Sequence, residues 1–222
     1  MLRIGLFIIC IGAAYAADEA WKTKRVADWT EQDTKEILSN SPWAMMTVPA
    51  VKKEEKKQQH GNPLGAVGVP GMNRRRANPD PPPDTQAPSE SATSLMLRWE
   101  SALPIREAEL KARETSAPVV DEDHYAIAVY GLPTKLAKDP KGEGDRLKGQ
   151  AALKREGQKD LKPSHVDVIQ RDDGVVVVFL FPRTKEISAQ DSGVEFDAQI
   201  GQYEIAQKFQ VDQMMYQGKL EL

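Results

Sequence analysis

The stretch Val166-Asp167-Val168-Ile169-Gln170-Arg171-Asp172-Asp173-Gly174-Val175-Val176-Val177-Val178-Phe179-Leu180-Phe181-Pro182 decides the fold. It reads as a β-hairpin, because Asp173-Gly174 supplies the positive-φ position that a tight turn needs. Residues 175–181 are apolar without alternation, so both faces of that strand must be buried. β-branched and aromatic residues dominate the run, and it is too short for a typical helix. Pro182 lacks the N–H that would continue the ladder and ends the strand. The run is expected to be the central strand of the domain.

Working outward, residues 94–100 alternate, with Leu95, Leu97 and Trp99 on one face and Met96, Arg98 and Glu100 on the other. That is a half-buried strand. Ser101 is the expected N-cap of a following helix. Its stripe is Ala102, Ile105, Ala108 and Ala112, and Glu107–Lys111 and Glu109–Arg113 decorate the outer face. Residues 124–130 form another strand, and small Ala126 and Ala128 on one side would let a helix pack closely. A polar turn region over 138–145 precedes an expected helix over 146–156, with Leu147, Ala151 and Leu153 inward and Gly157 as its stop. Beyond Pro182, three amphipathic segments beginning at Val194, Tyr203 and Tyr216 read as an antiparallel meander with one wet face.

Residues 1–16 read as a secretory signal peptide. Arg3 supplies a positive n-region, residues 4–14 an apolar h-region, and Ala14-Tyr15-Ala16 the cleavage site. Residues 17–51 hold a short helix capped by Thr30 with Asp33. It ends before Pro42, because the residue preceding proline avoids the α region. A strand carrying Met46, Val48 and Ala50 on one side follows, and Pro49 argues for an edge position. Trp21, Trp29 and Trp43 bracket the helix and are expected to dock it on the main domain. Residues 52–93 run from a lysine–glutamate block through glycines to Arg74-Arg75-Arg76 and a proline cluster. Such a composition cannot bury enough apolar surface to order itself. The core domain is then 94–222, with 52–93 looping out between two of its strands.

Composition excludes several functions. The 222-residue chain has a net charge of −3 and one cysteine, Cys10. Cys10 lies in the signal peptide, so the mature chain has no disulfide, thiolate nucleophile or cysteine-ligated metal. The mildly acidic balance does not favour nucleic acid as a partner. No later run is long and apolar enough to span a bilayer.

The residues that carry acid–base or ligand chemistry are sparse. Asp121-Glu122-Asp123-His124 places carboxylates beside an imidazole, and His165 opens the next strand. A metal or acid–base site would need His124 and His165 to meet with Asp123 or Asp167. Adjacent residues entering a strand point in different directions, so Asp123 and His124 converge only with help from elsewhere. His60 lies in the expected insertion. Neither a dinucleotide fingerprint, a phosphate loop nor a nucleophile elbow is present.

Four stretches carry a resemblance: Trp29-Thr30 with Asp33 and Ser41-Pro42-Trp43-Ala44; Arg98 to Pro104; Phe179-Leu180-Phe181-Pro182-Arg183; and Phe209 with Met215-Tyr216-Gln217-Gly218-Lys219-Leu220. The chain resembles an uncharacterised family of secreted bacterial proteins of the acidobacterial type. The resemblance implies export and carries over no catalytic residue.

The resulting expectation is an α+β fold, with a mixed or mainly antiparallel sheet, two to three short helices and a C-terminal β-meander. The expected function is a non-enzymatic binding or structural module, secreted or periplasmic, with no cofactor and with a protein or envelope partner. Two alternatives stay open. One is a hydrolase or metal-dependent enzyme using His124, His165 and Asp123. The other is an envelope-associated interaction protein recruited through residues 52–93, where Arg74–Arg76 is the basic cluster.

Overall fold

The computed structural model describes residues 19–52, 93–114 and 116–222. The expected signal peptide, and the expected insertion with His60 and Arg74-Arg75-Arg76, lie outside the described residues. In chain order the elements are α1 (Ala20–Thr23), α2 (Glu31–Ser39), β1 (Ala44–Thr47) and β2 (Ala50–Val51). After residue 93 follow β3 (Leu95–Trp99), α3 (Leu103–Ala112), β4 (His124–Leu132), α4 (Pro140–Lys148) and β5 (Ala151–Arg155). Then come β6 (His165–Arg171), β7 (Gly174–Pro182), β8 (Val194–Ile200), β9 (Tyr203–Phe209), β10 (Met215–Tyr216) and β11 (Lys219–Leu220). The fold is α+β with antiparallel sheets.

The hairpin is β6–β7, paired from His165↔Leu180 to Arg171↔Gly174 around Asp172-Asp173. Gly174 has φ +144°, and a Cβ there would sit 3.1 Å from the Leu132 carbonyl oxygen, so glycine fits where other residues are strained. Residues 175–181 are buried on both faces. The strand is not central, however. The first sheet has the order β1-β3-β4-β7-β6, which puts β4 in the middle and β7 one place from the edge. Burial on both faces specifies cover above and below, not distance from the sheet edge.

The second sheet, β2-β9-β8-β5, folds over the first. Their inner faces interlock edge-to-face, with Phe179 against Phe196 at 5.2 Å, Phe181 against Phe196 at 6.3 Å and Trp99 against Phe209 at 5.1 Å. Alternation in β8 (Val194, Phe196, Ala198 and Ile200 buried) is what turns one face inward. The third expected meander segment does not join this sheet. It is the separate hairpin β10–β11, turned at Gln217 and Gly218 with φ of 49° and 78°.

Residues before and after 53–92 share one sheet, because β1 pairs with β3 from Ala44↔Arg98 to Thr47↔Leu95. The chain then crosses to the second sheet at Val48-Pro49, and β2 pairs with β9. The side carrying Met46, Val48 and Ala50 faces outward. Trp43 is fully buried and donates Nε1–H to the Glu221 carbonyl at 2.7 Å. Trp21 packs edge-on against Trp43, and Trp29 against Tyr216. The capping box of α2 is complete: Thr30 Oγ1 accepts from Asp33 N–H at 3.1 Å, and Asp33 accepts from Thr30 N–H at 2.8 Å.

Four local expectations are corrected. The helix expected over 146–156 is two elements. α4 begins earlier, where Asp139 accepts from Gly142 N–H and Pro140 occupies the first turn, whose N–H needs no helical partner. Gly144 lets α4 lie against β6, since a Cβ there would be 2.4 Å from the Val166 carbonyl oxygen. Residues Ala151–Arg155 instead pair with β8; the i,i+4 spacing of Leu147 and Ala151 imitated a helix, and sheet pairing prevailed. Ser101 is not the cap of α3: Ala102 is the N-cap, and Ser101 Oγ accepts from Ala126 N–H. Ala112 is exposed, whereas Glu109, expected outside, is buried. Finally, the Ala126–Ala128 face gathers Tyr130, Val176, Val178 and Leu180, with Val120 from the segment before β4 packed on it rather than a helix.

Candidate functional site

The two ends of β4 carry the polar chemistry. At its start, the turn before the strand folds back so that Asp121 Oδ1 lies 2.7 Å from His124 Nδ1 and 3.0 Å from the donating Asp123 N–H. On the other side of the ring, His124 Nε2 lies 2.9 Å from Ser164 Oγ, just ahead of β6. Ser164 is delivered there because its N–H donates to the Leu180 carbonyl at 2.8 Å, extending the β6–β7 ladder by one residue. Its Oγ–H also donates to that carbonyl at 3.2 Å. The His124 hydrogen bond, aided by the backbone N–H groups of Asp123 and His124, lowers the Asp121 pKa. An ionised carboxylate, an imidazole and a hydroxyl thus stand in line.

The residues singled out in the sequence meet only in part. His165 does not join His124; its Nε2 pairs with Asp167 Oδ1 at 2.9 Å. Asp123 contributes its backbone, with its carbonyl accepting from Arg183 N–H. Among the described residues, no group of three or more His, Cys, Asp or Glu side chains is arranged to hold a metal ion. Ser164 was missed, since a single serine before a strand carries no pattern.

At the other end of β4 lies a buried ionic network. Tyr130 donates its hydroxyl to Glu100 Oε1 at 2.5 Å. Arg98 donates Nε–H to the Leu38 carbonyl at 2.9 Å and Nη1–H to Glu114 at 3.2 Å, and lies 3.6 Å from Glu109. Arg171 donates to Glu114 at 3.2 Å. Both guanidiniums stack on the Tyr130 ring, at 4.7 and 5.4 Å from its centroid. Desolvation raises the pKa of Glu100, and desolvation with the Glu100 charge pushes Glu109 up to about 9. Glu109 therefore holds a proton at neutral pH. Two arginines, Arg98 and Arg171, thus stand among three carboxyl groups, Glu100, Glu109 and Glu114. The sequence did carry signals for it. Alternation puts Arg98 and Glu100 on one face of β3, and Glu109 falls at the i+4 position from Ile105 on the inward side of α3.

Arg98 links this network to an open groove of about 720 Å³ between α2 and α3. Its charged lining is Lys35, Arg98, Lys111 and Arg113 against Glu31. Lys111 is held by the carbonyls of Val26 and Ala27 at 2.8 and 3.2 Å, and Arg113 caps α3 with φ 57°. No helix among the described residues is long and apolar enough to cross a membrane. Comparison with family models, with curated proteins and with solved structures gives no match.

Proposed function

We propose that the chain is an exported binding module that seats an anionic group of a protein or envelope partner in the α2–α3 groove. One observation carries this reading: Lys35, Lys111 and Arg113 line the groove against one carboxylate, Glu31, beside an Arg98 already paired with Glu114, on a chain whose net charge is −3. The cationic lining is therefore a local reversal of sign, the arrangement that attracts and orients an anion. Lys111 and Arg98 are already fixed by backbone carbonyls, which lowers the ordering entropy lost on binding. Export is supported by the composition of residues 1–16 and by the resemblance to secreted bacterial proteins.

The test is anisotropy of a labelled oligoglutamate peptide with the mature chain at low and high salt. Binding is expected to weaken with salt and to fall at least several-fold in the double reversal Lys35→Glu/Arg113→Glu. Equal binding by that variant, with its fold intact, would remove the reading. Export is checked separately by N-terminal sequencing of the protein from the extracytoplasmic fraction, where Ala17 is the expected first residue.

A further inference from the structure

We infer that Ser164 is a nucleophile that takes an acyl group from activated aryl esters, with His124 as its general base and Asp121 as the residue that positions the imidazole. The inference is independent of the groove reading. His124 and the Tyr130 network are six residues apart on β4, roughly 20 Å by strand rise.

The geometry is that of an activated hydroxyl. His124 Nδ1–H donates to the Asp121 carboxylate at 2.7 Å, which leaves the Nε2 lone pair facing Ser164 Oγ at 2.9 Å, nearer than the Leu180 carbonyl to which the hydroxyl also donates at 3.2 Å. A base within this reach of a hydroxyl, itself oriented by a carboxylate, is the arrangement that makes serine nucleophilic at neutral pH. Two ladders hold the parts in place. β4 carries His124 opposite Pro182 on β7, and the Leu180 carbonyl of the same strand holds Ser164. Arg183 Nε–H donates to the His124 carbonyl at 3.2 Å and steadies the strand entry.

The step balances without a cofactor. As the Oγ–acyl carbon bond forms, the Ser164 proton passes to His124 Nε2. The ester C–O bond breaks, the phenolate departs, and the imidazolium returns its proton to the leaving group or to solvent. Water, deprotonated by the same imidazole, later releases the acid. The substrate class follows from exposure. The Asp121 side chain is 54% exposed, and Ser164 lies at the surface. With the hydroxyl open to solvent, the leaving group decides. Aryl esters qualify because a phenolate departs with little stabilisation of the tetrahedral oxyanion, a stabilisation elsewhere worth 10²–10³-fold.

The experiment treats the mature chain with p-nitrophenyl acetate and follows nitrophenolate release, intact mass and the acetylated peptide. One acetyl group on Ser164 is expected, absent in Ser164→Ala and formed on the order of 10²-fold more slowly in His124→Gln. Acetylation confined to lysines, or acetylation of Ser164 at the same rate in His124→Gln, would overturn the inference. If His124→Gln does not fold, Asp121→Asn gives the same readout from a surface side chain. Slower acetylation with an altered pH profile supports the relay, and an unchanged rate and profile sinks it.

Discussion

The two ends of β4 contain similar ingredients, carboxylates with a partner that shares a proton, and use them oppositely. At Tyr130 the partners are buried: Glu100 is 1% and Glu109 5% exposed. At His124 the imidazole is partly exposed and Asp121 mostly so. Burial raises the cost of any unpaired charge, so the Tyr130 end sets its carboxyls against two arginines and keeps a proton on Glu109. At the His124 end the imidazole hydrogen bond keeps Asp121 ionised in contact with solvent. Similar groups are thus locked into a network where water is excluded and left open where water is admitted.

The comparison breaks most readily at the buried end. Arg98→Ala removes the cation beside Glu109 and leaves Glu114 with Arg171 alone, and is expected to cost about 3–5 kcal/mol in chemical denaturation. Tyr130→Phe removes the donor to Glu100 and leaves a buried acceptor unpaired, an expected loss of about 1–3 kcal/mol.

The pH dependence sharpens it. The folded pKa of Glu109 is raised to about 9 from 4.5. The folded state therefore holds a proton that the unfolded chain releases. This contribution is complete below about pH 4.5 and is lost as pH rises toward 9. Glu109→Gln imitates the protonated carboxyl, so its stability is expected to lose that downward slope. Urea midpoints measured at steps across this range, for both proteins, decide the point. Asp33 has the opposite sign. The Thr30 N–H and Lys24 lower its pKa, so its support of α2 is present above its ordinary value of 3.8 and fades as pH falls further. Asp33→Ala is expected to cost about 0.5–2 kcal/mol, read as a lower melting temperature.

At the open end the same measurements should barely move. Ser164→Ala removes an exposed hydroxyl and is expected to change stability by no more than about 0.5 kcal/mol. A large loss there would make the relay a structural clasp and erase the contrast between the two ends.

The sequence by itself determined the hairpin at Gly174, the doubly buried run of β7, the alternation of β3 and β8, the capping box of α2 and the α+β class. Each is set by periodicity or by a residue's own stereochemistry, which act within a few positions along the chain. Tertiary structure decided the rest. β4, not β7, occupies the middle of the first sheet, because strand order depends on which edges find partners. Ala151–Arg155 became a strand because β8 offered it a ladder, against the helical spacing of its apolar residues. The sites are non-local for the same reason. Asp121 and His124 are neighbours in sequence, but Ser164 reaches them only because β7 pairs with both β4 and β6. Glu109 is titrated by Glu100, Arg98 and Glu114 across two elements and a turn. Which charges are close, and whether water reaches them, is a property of the folded chain alone.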